Sequence, residues 1–168
     1  MIEFEKPNYK ITDYVENNFY GKFEIEPLER GFGTTLGNAL RRVMLSSLPG
    51  SAISSVKIEG ALHEFQTVEG VVEDVTTIIL NLKNIVVKNH SEEQKTIRLS
   101  VSEERVVTAA DIETDADVEI INKDRVIATL AKGGKLDMEM IVVNGRGYVP
   151  GAENKKIIEN NTIGYIPI

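Results

Sequence analysis

The sequence predicts an α+β chain in which a β-hairpin and a helix are followed by a β-rich region carrying one helix. Three observations carry that prediction. Residues 9–25 alternate apolar and polar in two runs separated by a turn. Residues 36–44 repeat apolar side chains at the three- and four-residue spacing of a helix. Beyond Gly50 the text becomes short β-branched runs broken by polar turns.

Taken in order, Tyr9-Lys10-Ile11-Thr12-Asp13-Tyr14-Val15 and Tyr20-Gly21-Lys22-Phe23-Glu24-Ile25 flank the turn-forming Glu16-Asn17-Asn18, and read as two antiparallel strands. Gly31-Phe32-Gly33 then leads to Thr34 or Thr35 as N-cap of a helix whose buried face is Leu36, Ala39, Leu40, Val43 and Met44. Leu48-Pro49-Gly50 ends it, because proline lacks the backbone donor and disfavours helical geometry in its predecessor. Residues 49–51 are the one linker-like place and mark a boundary between segments 1–50 and 51–168. Strands are expected over Ala52 to Glu59, Ile85 to Lys88, Thr96 to Val101, Asp117 to Ile121, Val126 to Leu130 and Leu136 to Val143. Val68, Val71, Val72, Val75, Ile79 and Leu82 keep helical spacing from Thr67 to Lys83. Glu69, Glu73 and Asp74 near its start and Lys83 at its end suit the helix dipole.

Composition narrows the function classes. The chain has 168 residues, 42% of them hydrophobic, enough for a real core. No apolar run is long enough to span a bilayer, and the N-terminus mixes charges with apolar residues, so a cytoplasmic location and no membrane partner are expected. Zero cysteines exclude disulfides and thiolate metal sites. A net charge of −7 and only 6% aromatic residues speak against direct DNA binding, which draws on clustered Lys and Arg and on stacking rings.

The motifs that suggest chemistry have structural readings beside them. Gly31-Phe32-Gly33-Thr34-Thr35-Leu36-Gly37 opens a helix, where glycines let backbone amides cradle a phosphate, so a small nucleotide-binding module is one reading. Its spacing fits neither a dinucleotide fingerprint nor a P-loop, and the bland reading is a tight turn. His63 and His90 have no second ligand at metal spacing, and Asp111, Asp115 and Asp117 do not follow a calcium-loop pattern. No nucleophile elbow or triad can be assembled, so no catalytic residue, cofactor or metal is expected. Arg41 and Arg42 share a second helical face with Asn38 and Leu45. An apolar residue beside paired guanidinium groups favours a protein interface over a solvated face. Asn144-Gly145-Arg146-Gly147-Tyr148-Val149-Pro150 is either a β-turn with Tyr148 packed over an edge or an exposed contact loop carrying Arg146 and Tyr148.

Several of these segments together resemble the N-terminal domain of the bacterial RNA polymerase α subunit. They are Phe23 to Gly31, GFGTTLGNALRR at Gly31 to Arg42, LSSLPG at Leu45 to Gly50, GALHEF at Gly60 to Phe65, EGVVEDV leading to NLK at Lys83, VTAADI at Val107 to Ile112, and GRGYVP at Gly145 to Pro150. The resemblance implies a discontinuous dimerisation subdomain, of which residues 1–50 are the first segment, with residues 51–168 as an inserted β-rich subdomain. It implies a non-catalytic assembly scaffold whose first helix packs on a second α subunit, and whose dimer recruits the β and β′ subunits. Arg42, Leu45 and Lys83 match family positions implicated in β contact, with Arg41 beside them. The family's catalytic aspartates and magnesium belong to β′. Family members also continue past Ile168, closing the dimerisation subdomain and adding a DNA-binding C-terminal domain. Exposed strand edges and apolar surface are therefore expected here, and dimerisation other than in the family's usual way, with domain-swapped, altered and absent dimerisation as the alternatives.

Overall fold

The computed structural model describes residues 5–16, 20–158 and 164–168. The chain divides into two compact units, residues 1–46 and 47–168.

In the first unit, β1 (Asn8–Val15) and β2 (Tyr20–Glu26) pair antiparallel. Asn17 and Asn18 of the expected turn lie outside the described residues. Tyr9 faces Ile25 and Ile11 faces Phe23, so one face of the hairpin is aromatic and aliphatic; an irregularity between Ile11 and Asp13 shifts the register beyond them. Thr12 Oγ1 donates to the Lys22 carbonyl at 3.1 Å, and Lys10 Nζ meets Glu26 Oε1 at 2.9 Å. Gly31, at φ +93°, turns the chain into α1 (Phe32–Ser47). The helix begins earlier than Thr34 or Thr35 would have it, and Gly33 and Gly37 lie inside it. The glycine run is thus helix rather than a loop, and Gly37 is too deep to offer an unpaired amide to a phosphate. Among the described residues of 5–46 none is buried; of the expected buried face only Leu36 is half-buried, while Ala39, Leu40, Val43 and Met44 are exposed.

The second unit is built on a sheet ordered β5 (Lys95–Val101), β9 (Leu136–Arg146), β3 (Pro49–Ile58), β4 (Val87–Asn89), β7 (Val118–Ile120), with β10 (Ile166–Pro167) also pairing β3. A separate ribbon joins β6 (Val106–Thr108) to β8 (Val126–Thr129). Residues 49–51, expected as linker, are the first residues of β3. Proline is tolerated at the start of a strand, where a missing donor costs little, and Pro49 pairs with Arg146. Alternation fixes the core face: Ile97, Leu99 and Val101 from β5, and Leu136, Met138, Met140 and Val142 from β9, are buried at every second position. In β3 the pairing register shifts between Ile53 and Ser55, and Ser55 and Val56 are buried in succession.

The helix expected from Thr67 to Lys83 is shorter. Only α2 (Val75–Leu82) is helical, burying Val75, Ile78, Ile79 and Leu82, each large side chain contributing about 1.5–3 kcal/mol. Asp74 caps it by accepting from the Thr77 amide at 2.7 Å. The preceding residues are committed to other partners. Thr67 bridges Asp74, Val71 bridges Leu130, and the Val72 amide reaches the Thr129 carbonyl at 3.0 Å. The β-rich segment also carries more than the one expected helix, because α3 (Gly151–Ile158) and a 3-10 turn (Ala109–Asp111) join α2.

Candidate functional site

Two groups of exposed side chains stand out, one in each unit. On α1, sixteen residues without a buried side chain present Arg41, Arg42 and Leu45 on one face and Leu40, Val43 and Met44 on another. Leu45 is 61% exposed. Neither guanidinium forms an ion pair among the described residues. The hydroxyl of Ser46 turns back to the Arg42 carbonyl at 2.7 Å, which satisfies one acceptor near the helix end.

In the second unit Lys83 occupies the C-cap of α2, with its amide bonded to the Ile79 carbonyl at 3.0 Å. Its charge sits at the negative end of the helix dipole. Lys83 borders a groove of about 630 Å³ whose lining includes Ile53, Val143, Gly145, Arg146, Tyr148 and Ile168. Arg146 ends β9, Gly147 at φ +70° redirects the chain, and Tyr148 projects with 83% of its surface exposed. Of the two readings of this loop, the one with Tyr148 packed over an edge does not hold. The two opposed glycines of the groove, Gly50 and Gly145, are cross-strand partners, and a Cβ added to either would meet nothing within 4 Å. Ser55, also in the lining and wholly buried, has a hydroxyl with no hydrogen-bond partner among the described residues.

The titratable groups serve structure. Asp115 and Asp117, which follow no calcium-loop pattern, both bind Lys95, at 3.6 Å from Asp115 Oδ2 and closer still to Asp117 Oδ2; the Asp117 hydrogen bond raises the ammonium pKa. Arg105 forks onto Asp111 with two bonds of 2.9 Å and, chiefly through them, lowers its carboxyl pKa; burial opposes this and the Thr108 amide assists. His63 Nδ1 accepts from the Phe65 amide at 3.3 Å, and His90 Nε2 lies 3.8 Å from Glu119. No group of three metal-ligating side chains occurs among the described residues. No helix among them is long and apolar enough to cross a membrane.

The sequence reading singled out Arg41, Arg42, Leu45, Lys83, Arg146 and Tyr148 but not what surrounds them. Arg41, Arg42 and Leu45 share one helix face; Lys83 and Arg146, distant in sequence, meet at one groove. Leu62 and Phe65, quoted in GALHEF only for the family resemblance and not as contact residues, are each 81% exposed on the loop before α2. The sequence reading missed the glycine pair, which becomes visible only once β3 and β9 are in register.

Comparison with known proteins adds a family. The model of the RNA polymerase Rpb3/RpoA insert domain matches residues 56–168. Over all 168 residues the chain is 57% identical to proteins of Desulfitobacterium hafniense strain Y51 and of Oceanobacillus iheyensis, and 59% identical to one of Desulforamulus reducens. Each of these is called DNA-directed RNA polymerase subunit alpha, and the chain spans 53% of its length.

Proposed function

The chain belongs to the bacterial RNA polymerase α-subunit family, and from that premise we propose that it acts as a non-catalytic assembly scaffold of the polymerase in the cytoplasm. In this reading residues 1–50 are the first segment of a discontinuous dimerisation subdomain and residues 51–168 are its β-rich insert. Leu36, Ala39, Leu40, Val43 and Met44 meet a second α subunit; Arg41, Arg42, Leu45 and Lys83 form or border the surface for β, and β′ joins the assembled dimer.

The observation that carries the reading is the uncovered helix α1. Sixteen residues with apolar side chains at helical spacing and none buried amount to half of a packing interface. A helix of that length gains most of its stability from burying its apolar stripe, and here the described residues of its own unit do not bury it. Arg42 beside the exposed Leu45 offers a charge-assisted donor next to an apolar side chain that a partner would desolvate, and Arg is enriched at protein interfaces.

The test is β capture by a full-length α subunit carrying this sequence. Arg42→Ala is expected to weaken capture by about 2–5 kcal/mol, the cost of truncating a buried hydrogen-bonded charge at an interface, while α dimers persist. Undiminished capture in a titrated pull-down would remove Arg42 from the contact surface. A nucleotide-binding module using the Gly31 to Gly37 turn draws no support, since that turn is largely helix.

A further inference from the structure

From the groove beside Lys83 we infer that the second unit receives an extended polypeptide segment of a partner protein, one that sets a carboxylate beside a bulky apolar side chain. The inference rests on the assembly reading above, and adds the chemistry of what the insert binds.

Charge complementarity is the first argument. The chain holds 26 acidic against 19 basic residues, yet the groove lining contains no Asp or Glu and two cations, Lys83 and Arg146. Neither cation is ion-paired among the described residues. Carboxylates elsewhere take up Lys95, Arg98, Arg105 and Lys135, so a cationic pocket free of acids is a local departure from an acidic surface. An occupant with a carboxylate is drawn to such a pocket, and a basic one is repelled.

The glycine pair is the second argument, and it speaks for a backbone. Gly50 and Gly145 face each other across β3 and β9, and space is open over both. Neither carries a positive φ, so the backbone itself does not require glycine there. Glycine inside a strand gives up packing and entropy, and one place where that loss is compensated is where another backbone must come close. Apolar lining from Ile53, Val143 and Ile168 supplies the pocket for a bulky side chain, and a volume of about 630 Å³ suits it. Tyr148 and Arg146 stand at the groove as a rigid ring and a forked donor, two of the side chains most used to anchor a protein partner.

The experiment places a photocrosslinker at the groove in the assembled enzyme. Tyr148, being exposed, is replaced by p-benzoylphenylalanine in full-length α carrying this sequence; polymerase is assembled and irradiated, and the crosslinked peptide is sequenced. The expected product joins position 148 to another polypeptide, within a stretch that has Asp or Glu next to a bulky apolar residue. Gly145→Val, which keeps an allowed strand backbone but fills the space over the glycines, is expected to lower the yield about tenfold, and so is Arg146→Glu. Crosslinks confined to α itself, a crosslinked stretch rich in Lys and Arg, or a yield indifferent to both substitutions overturns the inference. Absence of any crosslink does so too, provided the enzyme assembles. Failure here leaves the Arg42 result intact, and loss of the Arg42 effect leaves a position-148 crosslink intact, so the two readings fail separately.

Discussion

Asp111 shows how a single carboxylate is held to its ionised form. The Arg105 fork, helped by the Thr108 amide, sets its folded pKa below the ordinary carboxylate value, whereas in the unfolded chain it returns to about 3.9. Between the two values the unfolded chain binds more protons, so stability from this group is complete above the unfolded pKa and is lost as pH falls through the folded one. Asp111→Asn removes that contribution. Its urea midpoint is expected to lie below that of the parent at pH 7, with the gap closing as pH falls through the unfolded carboxylate value and below it. A gap that stays constant across that range would show that Asp111 acts through its hydrogen bonds alone. At this scale the sequence was legible in part. Arg42 and Leu45 could be placed on one helix face from spacing, because a helix maps sequence offset directly onto position. The pairings of Arg105 with Asp111 and of Lys95 with Asp117 could not, since they depend on loops whose path no periodicity encodes.

Elements were legible where one period ran uninterrupted. The hairpin, α1 and the strands through Thr96 to Val101 and Leu136 to Val143 follow their patterns closely. The segment ahead of α2 misled because Val68, Val71 and Val72 match helical spacing with Val75 while the backbones of Val71 and Val72 are committed to Leu130 and Thr129. The cause lies partly in a contact remote in sequence. Gly70, at φ +75°, lies against Gly134 so tightly that a Cβ on Gly134 would sit 2.1 Å from the Gly70 carbonyl oxygen. That pins residues 67–74 to the turn before Lys135 and leaves Asp74 to start the helix. Gly134→Ala is therefore expected to destabilise by about 2–4 kcal/mol, as a backbone clash that no side-chain rotation relieves. Gly133→Ala, next door at φ +80° but with open space around it, is expected to cost only about 1–2 kcal/mol, the price of left-handed geometry for a residue with a Cβ. Urea unfolding of the two variants checks the order; a reversed order would mean that the Gly70 approach is not what holds this turn.

At the scale of the molecule the two units differ in what they bury. Residues 47–168 close a core of their own, with Val56, Ile78, Val107, Ile127, Leu136 and Met140 wholly or almost wholly out of solvent. Residues 5–46, among those described, bury no side chain, although Tyr9, Ile11, Phe23, Val43 and Met44 are the kind that would form a core. A hairpin and a helix in that state lack the packing that makes such elements stable. Under the proposed reading, a second α subunit covers the apolar stripe of α1. Solution mass then discriminates. A full-length α subunit carrying this sequence is expected to run as a stable dimer. In the dimer, Met44→Glu sets a charge into the apolar stripe of α1 and should return that protein to monomer without loosening the core of residues 47–168. Dimers untouched by Met44→Glu would place the interface on another surface.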